Sequence, residues 1–321
     1  MVEQQVVESY ETETQFEHVG LDVRRHRTDG FHEVQRIGTG QLVLQGRNDE
    51  ALALRPHDVG VQIPDPGVGQ RLLSVQMVGA FSQAPAVTAV QVGDRVCVDP
   101  NKLCNECAYC KAGIGHFCEH MIGIGTTVHG GFAEYCAVPE SQVYRIADTT
   151  TFEMAAMTEP VACCVHGIDL CEIKAGDTVA VIGGGMIGLL MLQLAKISGA
   201  GKLILIEPVA EKRDLALKLG ADLTIDPMTE DVKAVLAAKG IDRIACVIQC
   251  VGKVATMQQT IAIAGKKSTV MLFGLTAPAD EMSIKPFEIF KKEITLKASF
   301  INPYTQKRAL DLINSIKEDK A

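Results

Sequence analysis

Apolar and polar positions follow two alternating periods along the second half of the chain. Short apolar runs predict buried strands, and the stretches between them, where apolar residues recur every three or four positions, predict amphipathic helices. Strand and helix in alternation predict a doubly wound parallel sheet, whose ligands bind at the carboxyl ends of the strands. The predicted strands are 178–182, 203–207, 223–225, 245–250 and 269–273, and the predicted helices extend from the first strand's glycine turn to 198 and over 213–219, 231–239 and 255–263.

The first half of the chain has a different pattern. Alternating apolar and polar residues predict short strands of a small β-rich domain. Residues 1–50 show no persistent period and predict a poorly ordered extension, or sequence foreign to the fold. A helix over 152–170 is interrupted by Glu159 and Pro160, so that it begins or restarts at the proline. The predicted strands are 58–63, 71–78, 91–99 and 130–138, and a strand over 294–300 and an amphipathic helix over 305–316 follow the parallel sheet.

A glycine-rich turn follows the first strand of the predicted parallel sheet. Residues 179–188 read VAVIGGGMIG, with Gly183, Gly185 and Gly188 spaced G-x-G-x-x-G between an apolar strand and an apolar helix. This setting is typical of a dinucleotide-binding turn: the first glycine makes the tight turn, the second lets the backbone approach a pyrophosphate, and the third lets helix and strand pack closely. The helix N-terminus then stabilises the phosphate charge. A glycine-rich loop without a ligand is the alternative.

An acid follows the next predicted strand. Glu207 lies about twenty residues past the glycines, where a carboxylate accepts hydrogen bonds from the adenosine ribose hydroxyls and repels a 2′-phosphate. This favours NAD over NADP, whereas Arg213, close by, could bind a phosphate. The predicted cofactor-binding residues are Gly183, Gly184, Gly185, Met186, Ile187, Gly188, Glu207 and Arg213.

Four cysteines are clustered ahead of the parallel sheet, in NKLCNECAYCKAGIGHFC. Cys104, Cys107, Cys110 and Cys118 would repel one another as thiolates unless a cation joined them, and four sulfur ligands are typical of a structural Zn²⁺ site. An iron–sulfur cluster begins with the same two spacings, but its fourth cysteine follows sooner and precedes a proline. Such a closed zinc site stabilises a lobe and performs no chemistry.

Composition bounds the function. The 321 residues carry a net charge of −8 without a basic run, which excludes a polyanion-binding surface of the kind that nucleic acids need. No apolar run is long enough to span a bilayer, so no membrane-spanning segment is predicted. The N-terminus is acidic and polar, so no secretion signal is predicted. We expect a cytoplasmic protein in which the eleven cysteines serve as metal ligands or core residues.

Four features of the chain stand in the order found in zinc-dependent medium-chain dehydrogenases: the cysteine cluster, GGFAEY at 130–135, TEP at 158–160 and the glycine turn. Within that family, the chain resembles the polyol branch, the sorbitol and sugar-alcohol phosphate dehydrogenases. The resemblance implies an α/β fold with a GroES-like catalytic domain and a Rossmann domain, NAD, a structural zinc, oxidation of a secondary alcohol to a ketone, and a homodimer or homotetramer. The domains implied are a GroES-like domain over 51–160, a Rossmann domain over 161–295 and a return to the catalytic domain over 296–321, with 1–50 unassigned.

The resemblance also implies a catalytic zinc, and here the chain departs from the family pattern. Glu159 matches a glutamate ligand of the polyol branch. The family's cysteine ligand is replaced by Phe81, its G-H-E segment is missing, and the chain is short at the far end. The GFHE at 30–33 lies out of context, which makes His32 and Glu33 chance matches. Cys163, Cys164 and His166 are interpreted as core residues, with a rebuilt metal site as the alternative.

Two functions follow. One is an NAD-dependent, zinc-containing alcohol or polyol dehydrogenase acting on a small-molecule substrate. The other is a catalytically impaired NAD-binding protein, or a damaged gene product, that retains only the structural zinc.

Overall fold

The computed structural model describes residues 31–37, 41–46, 51–54, 80–83, 87–133 and 136–316, and for the first four of these ranges it describes the backbone alone. The chain divides into two compact units, Met1–Asn48 and Asp49–Ala321. In the first unit, β1 (Phe31–Ile37) and β2 (Gln41–Gly46) form an antiparallel hairpin. The prediction of no regular element was therefore wrong at this hairpin, because it overlooked the Gly-Thr-Gly turn signal at 38–40. The rest of 1–50 lies outside the described residues.

The second unit begins with short antiparallel strands. β3 pairs with β4 and β8, β5 pairs with β9, and β6 pairs with β7, while a one-turn helix α1 lies in the cysteine segment. This arrangement agrees with the predicted β-rich domain. The bounds are β3 (Ala51–Leu54), β4 (Ala80–Gln83), β5 (Val96–Val98), β6 (Asn101–Lys102), α1 (Ala108–Lys111), β7 (Ile122–Gly123), β8 (Cys136–Pro139) and β9 (Val143–Arg145).

Two predicted strands in this part are shorter than expected. Only β5 forms within 91–99, because Gly93 has a φ of +93° and Asp94 N–H donates to the Gln91 carbonyl, which makes a turn of the first residues. Among the described residues of 130–138, which exclude 134 and 135, only 136–138 are in a strand, β8. Gly130 lies against Gly125, where a Cβ would stand 2.4 Å from the Gly125 Cα, so the chain forms a closed loop there. The predicted strands 58–63 and 71–78 lie outside the described residues.

The predicted helix over 152–170 is two helices, α2 (Phe152–Ala156) and α3 (Thr158–Cys171), separated by Met157. The restart lies two residues before Pro160, so the proline stands in the first turn of α3, where its missing N–H has no intrahelical partner to lose. This position also puts Glu159 in the first turn of α3.

The centre of the second unit is a six-stranded parallel sheet of order β12-β11-β10-β13-β14-β15, as the sequence predicts. The order reverses between β10 and β13, and in such sheets ligands bind at that crevice. The bounds are β10 (Thr178–Ile182), α4 (Met186–Ile197), β11 (Lys202–Ile206), α5 (Ala210–Lys218), β12 (Leu223–Ile225), α6 (Val232–Ala238), β13 (Cys246–Gln249), α7 (Val254–Ile263), β14 (Thr269–Leu272), α8 (Pro286–Lys292), β15 (Thr295–Ala298) and α9 (Gln306–Ser315).

The central strands of the sheet are buried on both faces. Val179 and Val181 of β10 belong to the apolar cluster that includes α3, α4 and α9, whereas Ala180 and Ile182 belong to a second cluster with α6 and α7. Alternate residues of one strand thus pack against helices on opposite sides. Within the described parts of the chain, no helix is both long and apolar enough to cross a membrane.

Candidate functional site

The glycine turn between β10 and α4 has the geometry that the spacing predicts. Gly183 has a φ of +100°, a region that favours glycine. A Cβ at Gly188 would lie 1.8 Å from the Gly183 carbonyl oxygen, so only glycine lets α4 pack this closely on the turn. A Cβ at Gly185 would meet nothing within 4 Å. Gly185 therefore has no packing role, and its N–H and the first turn of α4, with Met186 and Ile187, are open to a ligand.

Glu207, directly after β11, faces this turn. Its side chain is buried, and its two carboxylate oxygens accept hydrogen bonds from Gly184 N–H at 2.6 Å and from Val209 N–H at 2.9 Å. A Cβ on Gly184 would lie 2.9 Å from Glu207 Cγ, so the middle glycine of GGG makes room for the acid. The sequence motif alone does not reveal this contact, which joins the glycine turn to the acid.

The Arg213 side chain lies beside Glu207, where it binds two backbone carbonyls and a carboxylate. Its guanidinium donates to the carbonyls of Glu207 at 2.9 Å and Pro208 at 2.6 Å, and it forms an ion pair with Asp226 at 3.5 Å. The side chain thus stabilises the turn after β11 by donating hydrogen bonds to its backbone carbonyls. A 2′-phosphate would have to compete with these partners for the guanidinium.

The four cysteines of the loop between β6 and β7 come together. Their sulfur atoms all lie within 4.8 Å of one another, and this is the one group of three or more potential metal ligands among the described residues. Backbone N–H groups point at the sulfurs, since Cys104 N–H donates to Cys118 Sγ and Cys107 N–H donates to Cys104 Sγ, both at 3.3 Å. Such N–H···S bonds stabilise thiolates, the form that binds metal.

The pKa values of three of the four thiols indicate that the cluster needs a bound cation. A hydrogen bond from Cys110 N–H lowers the pKa of Cys107 to about 6. Desolvation raises the pKa of Cys110 to about 12, and desolvation also raises that of Cys118. Four neighbouring sulfurs cannot all ionise without a cation to share, so this donor set fits a tetrahedral Zn²⁺.

Glu159 stands apart from this cluster. Burial raises the pKa of its carboxyl group, and the Cys163 thiol donates to its Oε1 at 3.2 Å. Burial also raises the pKa of Asp99, on the loop after β5, to about 6. Among the described residues, Glu159 belongs to no group of three potential metal ligands, so the described side chains do not by themselves form a catalytic zinc site.

The other residues that the sequence offers as ligands of a catalytic zinc differ in burial and in contacts. Cys164 is fully buried in the core, as predicted, whereas Cys163 bonds to Glu159. His166 is half-buried and meets the ring of His116 edge-on at 5.3 Å. His32 and Glu33 belong to β1, and Phe81 belongs to β4, so their side chains lie outside the description.

A cavity of about 820 Å³ lies at the carboxyl ends of β14 and β15. Gly274 and Ser299 line it from the sheet, His166 lines it from α3, and His116 and Phe117 line it from the cysteine segment. The sequence does not predict this cavity, because its walls come from loops that are far apart in the chain and show no periodicity.

Comparison with known proteins agrees with this architecture. Residues 51–148 match the alcohol dehydrogenase GroES-like domain, and residues 186–315 match the zinc-binding dehydrogenase family. D-arabinitol dehydrogenase 1 of Uromyces fabae is 32% identical over 233 residues, which cover 71% of this chain and 66% of that protein. This chain thus spans about two thirds of the length of that relative.

Two further relatives match over more of their length. L-threonine 3-dehydrogenase of Caldanaerobacter subterraneus is 32% identical over 295 residues, which cover 89% of this chain and 81% of that protein. A crystal structure described as a zinc-binding dehydrogenase from Sinorhizobium meliloti, bound to NADP, has a TM-score of 0.75 at 33% identity and covers 87% of this chain and 86% of its own.

Proposed function

Because the chain belongs to the zinc-binding medium-chain dehydrogenases, close to the polyol branch, we propose that it oxidises a secondary alcohol or polyol to a ketone by hydride transfer to NAD. The observation that carries this proposal is the turn between β10 and α4. Gly183 supplies the left-handed turn, Gly188 allows the close packing, and Gly185 leaves the helix N-terminus open to a pyrophosphate.

NAD is the coenzyme that the acid after β11 favours. Glu207 is held toward the turn by Gly184 N–H, where its carboxylate would accept hydrogen bonds from ribose hydroxyls and repel a 2′-phosphate. Arg213 supports the same preference, because its guanidinium is already bound by two carbonyls and Asp226. The relative from Sinorhizobium meliloti binds NADP, so coenzyme choice is a point at which the two proteins would differ.

The alcohol would lie in the cavity at the ends of β14 and β15. Glu207 would hold the adenosine end of NAD beside β11, and the strands on the other side of β10 lead to the cavity. A dinucleotide that crosses the carboxyl ends of the sheet would therefore bring its nicotinamide ring there. Zn²⁺ on Cys104, Cys107, Cys110 and Cys118 would stabilise the adjoining loop without an open coordination position.

A second function is favoured by one observation, the surroundings of Glu159. Its described neighbours Cys163 and Asp99 do not complete a metal site. In that case the chain binds NAD and one structural zinc but lacks the zinc that makes an alkoxide from the alcohol near neutral pH.

Counting zinc per chain in the purified full-length protein separates the two functions. Two zinc ions per chain would contradict the impaired protein, and one would contradict the dehydrogenase as a working mechanism. A titration with NADH on the same sample is the control, since both functions require coenzyme binding.

Domain boundaries, assembly and location belong to the same proposal. We assign 51–160 to the GroES-like catalytic domain, 161–295 to the Rossmann domain and 296–321 to the return to the catalytic domain, in a homodimer or homotetramer whose mass light scattering would measure. All eleven cysteines are unpaired thiols, which supports a reducing compartment such as the cytoplasm.

A further inference from the structure

The cysteine segment forms one wall of the cavity. We call residues 104–118 the cysteine lobe and residues 299–304, which follow β15, the return segment. Phe117 of the lobe and Phe300 of the return segment stack with ring centroids 6.0 Å apart and an interplanar angle of 12°. A Cβ at Gly115 would lie 2.6 Å from the Tyr304 hydroxyl, so the two segments also touch there. The lobe that would hold zinc is therefore in contact with the segment that lines the cavity.

The return segment is held in an uncommon conformation. Ile301 and Tyr304 have φ values of +45° and +57°, a region that non-glycine residues rarely adopt and a β-branched residue least of all. The buried Asn302 between them accepts a hydrogen bond from Asn101 Nδ2 at 2.6 Å and donates to Asp99 Oδ1 at 3.3 Å. At Asn302, two residues after Phe300, these bonds connect the return segment to Asp99 and Asn101.

The wall that these segments form is largely apolar and open. Phe117 and Phe300 are 49% and 51% exposed, so about half of each side chain is available to a ligand. Two neighbours in the lining, His116 and Ser299, each carry a buried polar atom without a hydrogen-bond partner in the described part of the chain. Such atoms are uncommon in folded proteins, and these two residues form a polar part of the cavity lining beside the aromatic rings.

We propose that Phe117 and Phe300 are specificity-determining residues that select alcohols bearing an alkyl or aryl group, and that metal on the four cysteines sets this selectivity by holding Phe117 in the wall. The inference rests on the proposed function, since it places the alcohol in this cavity. The apolar part of the substrate contacts the stacked rings, while its hydroxyl groups lie toward His116 and Ser299. A flat aromatic pair provides large contact area with little loss of side-chain freedom.

Steady-state kinetics of the zinc-loaded full-length chain with NAD test the selectivity, with 1-phenylethanol and D-arabinitol as probes. Phe117→Ala and Phe300→Ala should each raise KM for 1-phenylethanol about tenfold, the effect of one lost aromatic contact, and change KM for D-arabinitol much less. Because the rings act as a pair, the double variant should raise KM by less than the product of the single effects. Phe287→Ala is the matched control, since Phe287 is 66% exposed and lies on α8, outside this lining.

Calorimetric titration of the NADH-bound protein with 1-phenylethanol tests the role of the metal without requiring turnover. In Cys107→Ser, which removes one ligand of the lobe metal, NADH affinity should be retained and 1-phenylethanol affinity should fall to the level of the Phe117→Ala variant. The inference is overturned if Cys107→Ser binds 1-phenylethanol as tightly as the wild type, if it loses NADH as well, if Phe117→Ala leaves the preference between the two alcohols unchanged, or if neither alcohol binds. Failure of the wild-type chain to bind NADH would instead overturn the proposed function.

Discussion

A matched pair of alanine substitutions in the glycine turn separates packing from coenzyme binding. In Gly188→Ala, the new Cβ would lie 1.8 Å from the Gly183 carbonyl oxygen and 2.9 Å from its carbon, well inside the 3.4 Å at which ordinary contacts begin. Both atoms belong to the backbone and cannot rotate away, so α4 must move from the turn. In Gly185→Ala, the new Cβ has no neighbour within 4 Å, and the backbone conformation suits any residue.

The two variants should therefore fail in different ways. Overpacking against rigid backbone costs about 3 kcal/mol, which lowers Tm of Gly188→Ala by about 5 to 10 °C. Gly185→Ala should keep its stability within about 0.5 kcal/mol. It puts a methyl group where the pyrophosphate approaches, and the loss of one charge-assisted hydrogen bond should weaken NADH binding about 10- to 100-fold.

Thermal unfolding followed by circular dichroism, without coenzyme, measures the first effect, and fluorescence titration with NADH measures the second. If Gly188→Ala unfolds at the wild-type temperature, the close approach of α4 to the turn is wrong. If Gly185→Ala is stable and binds NADH as tightly as the wild type, the pyrophosphate does not lie over this turn.

Three further changes test other parts of the site. Cys107→Ser should lose the lobe zinc while Cys163→Ser keeps full metal content, and zinc loss in Cys163→Ser would show that Cys163 is a ligand. Glu207→Gln removes the charge that repels a 2′-phosphate, so the preference for NAD over NADP should fall about tenfold in paired titrations, and an unchanged ratio would contradict the assigned role. Burial raises the pKa of Asp99 from 3.8 to about 6, so the folded state binds the Asp99 proton more tightly than the unfolded state does. The stability that this proton contributes is complete below pH 3.8 and is lost as the pH rises to about 6. Asp99→Asn should flatten this decline in denaturant titrations and be about 1 to 2 kcal/mol more stable at pH 7, whereas parallel curves for both proteins would refute the argument.

The parallel sheet could be predicted because its central strands β10, β11, β13 and β14 are apolar on both faces. The predicted strands 178–182 and 223–225 coincide with β10 and β12, and the others differ by one or two residues at one or both ends. Glycine spacing and the following acid predicted the position and geometry of the turn between β10 and α4, since those features are local in sequence. The helix α8 was not predicted, because Phe287 and Phe290 face solvent and its pattern is not amphipathic.

The cavity at the ends of β14 and β15 could not be predicted in the same way. Its walls join Phe117 to Phe300 and His116 to His166, pairs that only the folded chain brings together. The hydrogen bond from Gly184 to Glu207 likewise depends on how the turn is oriented, which the glycine spacing does not specify. Contacts within one element follow from sequence periods, whereas contacts between loops depend on the tertiary structure.

Formation of NADH when a secondary alcohol is added to the zinc-loaded full-length chain and NAD tests the proposed function most directly. A panel that includes D-arabinitol, sorbitol and 1-phenylethanol should yield NADH and ketone in equal amounts with at least one member, and Gly185→Ala should lower this rate. A chain that binds NADH and zinc but reduces no NAD with any alcohol of the panel would contradict the dehydrogenase and support the NAD-binding protein without turnover.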